Sequence, residues 1–526
     1  MDILFFIVTM VLFASVFIFL GYLGYRKTKT VEDYFIAGRK MGPLIIAFSY
    51  GATFISAVAL IGFSGIASIY GYSILWLAFL NIFVGIFIAF VIYGLRTRKM
   101  GLSLNAITLP ELLGNRFNSV RLQQASGLII GIFMVAYTSA VFLAIASLFQ
   151  VTFGIPYWLC VVIFTLIVGI YLIVGGSYAM MWTHAVQAIV MLVGMIILTV
   201  GVYAMLGGIG PAHEAAAALT PEMLKSIGSP ATSQAPNGLT SMPPFLSQPF
   251  MMVLTLIFGV GIGVLAQPQL ITRYLTAKND KALRLAVPYG GIFILLMTFT
   301  AFSIGPLCNV LMYQNNINYP TSPDLVVPTI VNELFPTWFI LIFLFAILAA
   351  AMSTGAALFQ TAGSALGRDV YEKSIKCQRS PQKSILITRI ATIVIVIATL
   401  IITLNPLDVV AFMTAFFFGL MACTFLAPYT LMLYWKKTNR IGVWIGMLGG
   451  FLFTITWYIL IYFKTAPKII GAPLIGNYMI NMLDPIFIGL PLSFILTILF
   501  SSITRKDKEE EAIMKKSFES ILELEN

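Results

Sequence analysis

The sequence predicts an all-α polytopic membrane protein, and three observations carry that prediction. Aliphatic, aromatic and cysteine residues fill 60% of its 526 positions and charged residues only 10%, with a mean hydropathy of +0.97. A soluble domain of this length has no core large enough to hide so much apolar surface. The apolar residues come in runs as long as the roughly 20 residues that cross a bilayer as a helix. The basic residues recur between alternate runs, as the positive-inside rule requires.

In order, the runs predict thirteen spans, at 3–25, 44–68, 73–95, 123–151, 156–175, 179–206, 250–272, 286–313, 337–366, 384–404, 407–434, 441–463 and 485–503. The first begins after Asp2 and reaches Arg26 without a small-residue cleavage site. It therefore reads as a retained helix and not as a signal peptide. Basic clusters follow spans 1, 3, 7, 9 and 11: Arg26, Lys27, Lys29, Arg39 and Lys40, then Arg96, Arg98, Lys99, Arg116 and Arg121. Next come Arg273, Lys278, Lys281 and Arg284, then Arg368, Lys373, Lys376, Arg379 and Lys383, then Lys436, Lys437 and Arg440. The tail adds Arg505, Lys506, Lys508, Lys515 and Lys516, whereas the opposite side has only Lys225, Lys464 and Lys468. This asymmetry places the N-terminus outside and the C-terminus inside, in a multi-pass chain of the cell (plasma or inner) membrane. It also accounts for the net charge of +11 without nucleic acid.

The pattern divides the chain into an extra helix with a cytoplasmic loop (1–43), a first half (44–206), an external loop (207–249), a second half (250–440), two extra helices (441–504) and a charged tail (505–526). The external loop, with several Pro, Ser and Gly, is expected to be partly disordered. The tail places Ile513, Met514, Phe518, Ile521 and Leu522 at near-helical spacing and reads as an amphipathic helix on the membrane or the protein. Five spans in each half force the second half to run inverted, a recurring plan of secondary transporters whose first helices are interrupted. Two glycine-containing clusters in matching spans, Ser49-Tyr50-Gly51-Ala52-Thr53 and Gly259-Val260-Gly261-Ile262-Gly263, mark the expected unwinding. Unwound turns free carbonyls and amides to face ions or solute.

All twenty carboxylates fall in loops, span ends or the tail, so no acidic proton relay crosses the membrane. A coupling ion then needs neutral oxygens, which suits sodium. A membrane enzyme is the rival class. Its nucleophile–base pairs, HExxH and phosphate loops are absent, and the only histidines, His184 and His213, are far apart. Cys160, Cys308, Cys377 and Cys423 are isolated and read as packed thiols.

From Asp33-Tyr34-Phe35-Ile36-Ala37-Gly38-Arg39 to about Lys437, the chain resembles the sodium/solute symporter family, which includes proline and pantothenate carriers. Ala349-Ala350-Ala351-Met352-Ser353-Thr354 and Gly367-Arg368-Asp369-Val370-Tyr371 carry the resemblance most specifically. Gly175-Gly176 with Gln187, and Gln267-Pro268 with Arg273, support it. Pro323-Asp324-Leu325-Val326-Val327-Pro328-Thr329 looks most like the pantothenate branch.

The resemblance implies a LeuT-type fold with a five-plus-five inverted repeat and Na+ as the coupling ion. It also implies a sodium site made by backbone carbonyls of Ala52, Ile55 and Ala350 and hydroxyls of Ser353 and Thr354. Both hydroxyls have an ordinary alternative, bonding back to their own helix. Thr53, Ser56, Tyr137, Val260, Gly261 and Val264 match positions around the family's solute cavity. Tyr137 is equally readable as a packed aromatic. Val260 and Val264 stand where the proline carriers have aromatic residues, which argues against proline. Some relatives hold a second sodium between an aspartate and hydroxyls. Here those positions carry His184, Ala356 and Ala357, so a single sodium per cycle is expected. His184, a candidate ion-exit or proton site, leaves proton coupling open as an alternative, and a transporter-like solute sensor is another. The expected partners are a small solute, sodium and membrane lipid, with no protein partner indicated. A carboxylated solute (a monocarboxylate, pantothenate or an amino acid) is preferred to a sugar. Amides at an unwound helix end hold a carboxylate without a basic side chain, and none is expected at mid-membrane.

Overall fold

A computed structural model describes residues 3–231, 237–374, 380–405 and 408–522. Lys376, Cys377 and Arg379 of the sequence analysis lie outside them. Regular structure among the described residues is helical, with one isolated bridge pairing Met41 with Ala277. Among the described residues ten helices are long and apolar enough to cross a membrane, and Pro43–Phe54 and Tyr157–Ile170 are shorter apolar helices.

The helices used below are α1 (Ile3–Lys27), α2 (Pro43–Phe54), α3 (Ser64–Tyr70), α4 (Leu75–Ile82), α5 (Val120–Phe153) and α6 (Tyr157–Met205). Then come α7 (Gln248–Gly263), α8 (Pro268–Leu275), α9 (Asp280–Gln314), α10 (Thr337–Ser364) and α11 (Pro381–Leu404). The last are α12 (Val410–Met421, with helical turns running on to Tyr434), α13 (Arg440–Leu460), α14 (Ile486–Ile503) and α15 (Lys508–Leu522).

Helix α10 is the centre of the molecule. It packs on α6, α5, α11 and α2, while α9 packs on α2 and α3. Its small residues Ala349, Ala350, Ala351, Ala356 and Ala357 are fully buried. Small side chains let helix backbones approach closely where no solvent drives association. Helices α11 and α14 lie at the periphery. Leu386, Ile390, Ile393 and Ile397 of the first, and Ile495 and Ile503 of the second, are exposed, as suits a face turned to lipid. Two glycines in the left-handed region divide long helical stretches. Gly71 (φ 66°) separates α3 from α4, where an added Cβ would lie 2.1 Å from the Leu239 carbonyl oxygen, and Gly176 (φ 62°) interrupts α6.

Both expected helix breaks exist, but each is displaced. Ser49–Thr53 is regular helix, and α2 ends at Ile55 (φ −84°, ψ 90°) before helical turns resume at Val58. In the second half Gly259–Gly263 is also helical, and the break falls at Gln267 (φ −76°, ψ 113°). Pro268 explains the second position, because proline pushes its predecessor out of the α region. The glycines serve packing instead. A Cβ on Gly261 would lie 2.7 Å from Leu80, and one on Gly263 2.8 Å from the Phe418 carbonyl.

The described part of the 207–249 segment holds regular structure. It contains helices Ile209–Ala218 and Pro221–Ser226, the latter capped by the Thr220 hydroxyl; residues 232–236 lie outside the described set. The tail forms α15, which rests on the protein. Phe518 and Ile521 are buried, the Arg116 guanidinium lies 5.8 Å from the Phe518 ring centre, and Glu510 accepts the Arg440 amide at 2.8 Å.

Candidate ion and solute site

The last four carbonyls of a helix have no intrahelical amide to accept from. At the end of α2 two of them are met by hydroxyls of α10. Ser353 Oγ donates to the Ala52 carbonyl at 2.8 Å and also lies 3.0 Å from the Ala350 carbonyl of its own helix. Thr354 Oγ1 lies 3.2 Å from the Ala52 carbonyl and 3.1 Å from that of Thr53. Both side chains are fully buried. The ordinary back-bonding alternative thus holds for one of the Ser353 contacts and for none of those of Thr354.

Ala52, Ala350, Ser353 and Thr354 therefore meet at one point, as expected from the sequence. Ile55 marks the break beside them and is buried. The Thr53 carbonyl is an oxygen that sequence reasoning missed, since nothing but its place in a last helical turn marks it. The group is made of neutral oxygens without a carboxylate. Turning the hydroxyl hydrogens away leaves a donor set suited to a hard monovalent cation, because hard cations prefer oxygen ligands.

A small cavity of about 20 Å³, room for one water, lies beside the break, lined by Ser56, Asn81, Tyr137, Val260, Thr414 and Phe418 among others. Tyr137 stacks on Phe417 (5.5 Å between centroids, 20°) and meets Phe418 edge-on (5.3 Å, 86°). The structure thus brings together Ser56, Tyr137 and Val260. Thr53, Gly261 and Val264 do not line this cavity. Gly261 faces Leu80, and Val264 packs toward Gly85 and α12. Asn81, Thr414 and Phe418 were missed. Asn81 had a signal, as an amide within an apolar run. It is 3% exposed, and its Oδ1 has no hydrogen-bond partner.

The Thr53 side chain points elsewhere because two polar groups claim it. Its hydroxyl accepts from Arg273 Nη2 at 3.1 Å and lies 3.3 Å from His184 Nδ1. The same His184 nitrogen is 3.2 Å from Ser49 Oγ. Arg273 also corrects the sequence reading, which placed it in a cytoplasmic loop and expected no buried cation. It sits on α8 at 2% exposure, with Nη1 3.3 Å from Met181 Sδ. Helix α8 resumes straight after the break and carries the guanidinium inward. Ala356 and Ala357 are buried on α10 and offer no hydroxyl.

Membrane-crossing helices packed around two interrupted ones define a multi-pass integral membrane transporter and not an enzyme. The chain belongs to the sodium:solute symporter family, whose sequence profile matches residues 34–450. It is similar to a sodium/proline symporter of Staphylococcus aureus, 28% identical over 500 residues that cover 93% of this chain and 91% of that protein. Its fold is similar to that of a Na+-coupled sialic acid symporter solved in a substrate-bound, outward-open state (TM-score 0.76, 16% identity, 96% of this chain and 98% of that one). A more distant likeness is to a nucleobase-cation-symport-1 family transporter in a closed conformation with bromovinylhydantoin bound (TM-score 0.51, 12% identity, 92% and 98%).

Proposed function

We propose that this protein is a sodium-coupled symporter that imports a small carboxylated solute by alternating access, moving one sodium ion per cycle. The observation that carries the reading is the hydroxyl–carbonyl cluster joining α2 to α10 across the first helix break. Sodium binds there through the carbonyls of Ala52, Ile55 and Ala350 and the hydroxyls of Ser353 and Thr354, with the Thr53 carbonyl as a further oxygen. Because the oxygens come from two helices, separating the helices dismantles the site and releases the ion inward. The names of the relatives, sodium/proline and Na+-coupled sialic acid symporters, support sodium as the driving ion.

The solute enters beside Ser56, Tyr137 and Val260, where separation of the surrounding helices enlarges the small cavity of the closed packing. The unpaired Asn81 Oδ1 calls for a hydrogen-bond donor on the solute, since an unmet buried acceptor costs about 1–3 kcal/mol. A carboxylated solute with an N–H or O–H group meets that requirement. In the membrane the chain makes thirteen spans, N-terminus outside and C-terminus inside, with 44–206 and 250–440 as the inverted repeats.

His184 replaces the aspartate of a second sodium site and faces Ser49 and Thr53 rather than a second ion. Proton coupling through His184 is the competing reading, favoured by its position beside the cradle. Isotope fluxes in proteoliposomes separate the two. Sodium activation is expected to be hyperbolic with one sodium per solute. A ratio of two, or uptake driven by a pH gradient without sodium, overturns the proposal. Solute binding with no sodium-driven flux would make the protein a sensor.

A further inference from the structure

One fully buried side chain of α6 has both ends of its amide unpaired. Gln187 is 0% exposed, and neither its Oε1 nor its Nε2 has a hydrogen-bond partner among the described residues. One turn away on the same helix, His184 is equally buried and its Nε2 is unpaired too. Residues three apart on a helix are surface neighbours. A buried polar atom left unmet is costly, and three of them together point to a second arrangement in which they pair.

Contacts between α6 and α10 fix what Gln187 faces. A Cβ on Gly194 would lie 2.5 Å from the Ala346 Cβ, and one on Gly201 would lie 2.5 Å from the ring of Phe335, just ahead of α10. Rising numbers on α6 thus meet falling numbers on α10, so the two helices run antiparallel. Gln187 precedes Gly194 by one heptad, and Ser353 follows Ala346 by one heptad. A heptad step returns a helix to the same face within about 20°. Gln187 is therefore level with Ser353, on the face of α6 turned to α10. Helix α2 completes the group, since Ser353 reaches the Ala52 carbonyl and His184 Nδ1 lies 3.2 Å from Ser49 Oγ.

The ion cradle supplies the second arrangement. A serine that coordinates sodium through its oxygen still has a hydrogen to donate. Ser353 spends it here on the carbonyls of Ala52, at 2.8 Å, and Ala350, at 3.0 Å, and the proposed reading gives both carbonyls to sodium. Gln187 Oε1 is the unpaired acceptor at that level. The other end of the amide has a match as well. Ser49 Oγ donates to Met181 Sδ at 3.1 Å, so its oxygen is left to accept from His184 Nδ1, and the bare Nε2 of that ring accepts from Gln187 Nε2. We infer that Gln187 is a positioning residue of the cradle, whose amide accepts the Ser353 hydrogen and donates to His184 when sodium is bound and releases both when sodium leaves. This role rests on the sodium cradle proposed above and adds to it a residue that does not touch the ion. The pairing turns the lone pairs of Ser353 toward the cation and holds them there.

The melting temperature of full-length protein across a sodium chloride titration, with choline chloride holding the ionic strength, tests this. Gln187→Leu is expected to raise the half-saturating sodium concentration about tenfold, because the Ser353 hydrogen of the bound state then has no acceptor. Without sodium the same variant is expected to melt no lower than the parent, since it removes two unpaired polar atoms. Gln187→Met, of similar length and without the amide, is carried in parallel and is expected to behave alike. Gln187→Glu retains an acceptor oxygen and is expected to keep the parent's midpoint. In a Ser353→Ala background, Gln187→Leu is expected to add no further shift, as for two groups that act through one contact. The role is overturned if Ser353→Ala shifts the midpoint and Gln187→Leu and Gln187→Met do not, which leaves the cradle standing. It is also overturned if the Gln187→Leu and Ser353→Ala shifts add in full, or if Gln187→Glu shifts the midpoint as far as Gln187→Leu. An unshifted midpoint in Ser353→Ala overturns the cradle itself, and this role with it.

Discussion

The two broken helices differ in how they satisfy the backbone they expose. At the first break, the carbonyls of Ala52 and Thr53 accept from Ser353 and Thr354, which belong to another helix. At the second, Gln267 closes the break within its own segment. Its Nε2 donates to the Gly263 carbonyl at 2.9 Å, and Gln269 Nε2 lies 3.3 Å from Gln267 Oε1. A break whose partners lie on a second helix has bonds that a cation can exchange for and that helix motion can undo. A break that is closed locally has neither property. On the proposed reading the ion belongs to the first break, and the second break is structural.

The sharpest way to break this comparison is to remove the partner hydroxyls. Ser353→Ala and Thr354→Ala are each expected to raise the half-saturating sodium concentration about 10- to 100-fold, because an oxygen on a charged group is worth about 1.5–3 kcal/mol. The double variant is expected to fold and to show no sodium-dependent uptake. Wild-type sodium activation in a well-expressed double variant would refute the assignment.

Next in size, Val260→Trp should abolish solute uptake by filling the cavity, while leaving sodium binding, followed by thermal shift, in place. Tyr137→Phe should lower uptake several-fold if its hydroxyl meets the solute, and leave it unchanged if the ring serves only to stack on Phe417. Normal transport in both variants would move the solute away from Ser56 and Asn81.

At the second break, Gln267→Leu strands the Gly263 carbonyl and should cost about 1–3 kcal/mol of stability. Its sodium activation should remain that of the parent. A large change in sodium dependence would mean that this break also serves the ion.

The smallest expected effect lies outside both breaks. Asp324, in the loop between α9 and α10, accepts the Val410 amide at 3.3 Å. Burial pushes its carboxyl up to about 6 from the ordinary 3.8, against the opposing pull of that amide. Below the lower value the folded and unfolded chains are both protonated, and the group is neutral in its effect. Between the two values the folded chain holds a proton that the unfolded chain has released, so stability falls as pH rises through that window. Asp324→Asn should flatten the melting-temperature profile there and raise the melting temperature at pH 7. An unchanged profile would show that the group does not titrate in this range.

Much of this architecture was legible because hydropathy and charge act one residue at a time. Runs such as Ser73–Leu95 announce helices wherever they fold, and Ala349–Thr354 reads as a close-packed segment bearing two hydroxyls. Pro268 could have located the second break, since its effect on Gln267 is local. The glycines around Gly51 and Gly261 were the wrong signal, because glycine permits both an unwound turn and a close helix contact, and only the neighbouring helix decides between them. Arg273 is the clearest case. Its position in sequence, after an apolar run and among other basic residues, looks like a loop. Its burial beside Thr53 follows from α8 resuming after the break and turning inward.

What the sequence determined by itself was the helical class, the spacing of the apolar runs and the chemical types at the proposed ion site. What only the tertiary structure decided was which carbonyls those hydroxyls reach, and that Thr53 turns to His184 and Arg273. The physical reason is distance along the chain. Propensity and hydropathy are properties of neighbours, whereas the cradle joins residues about 300 positions apart, whose meeting depends on how the helices pack.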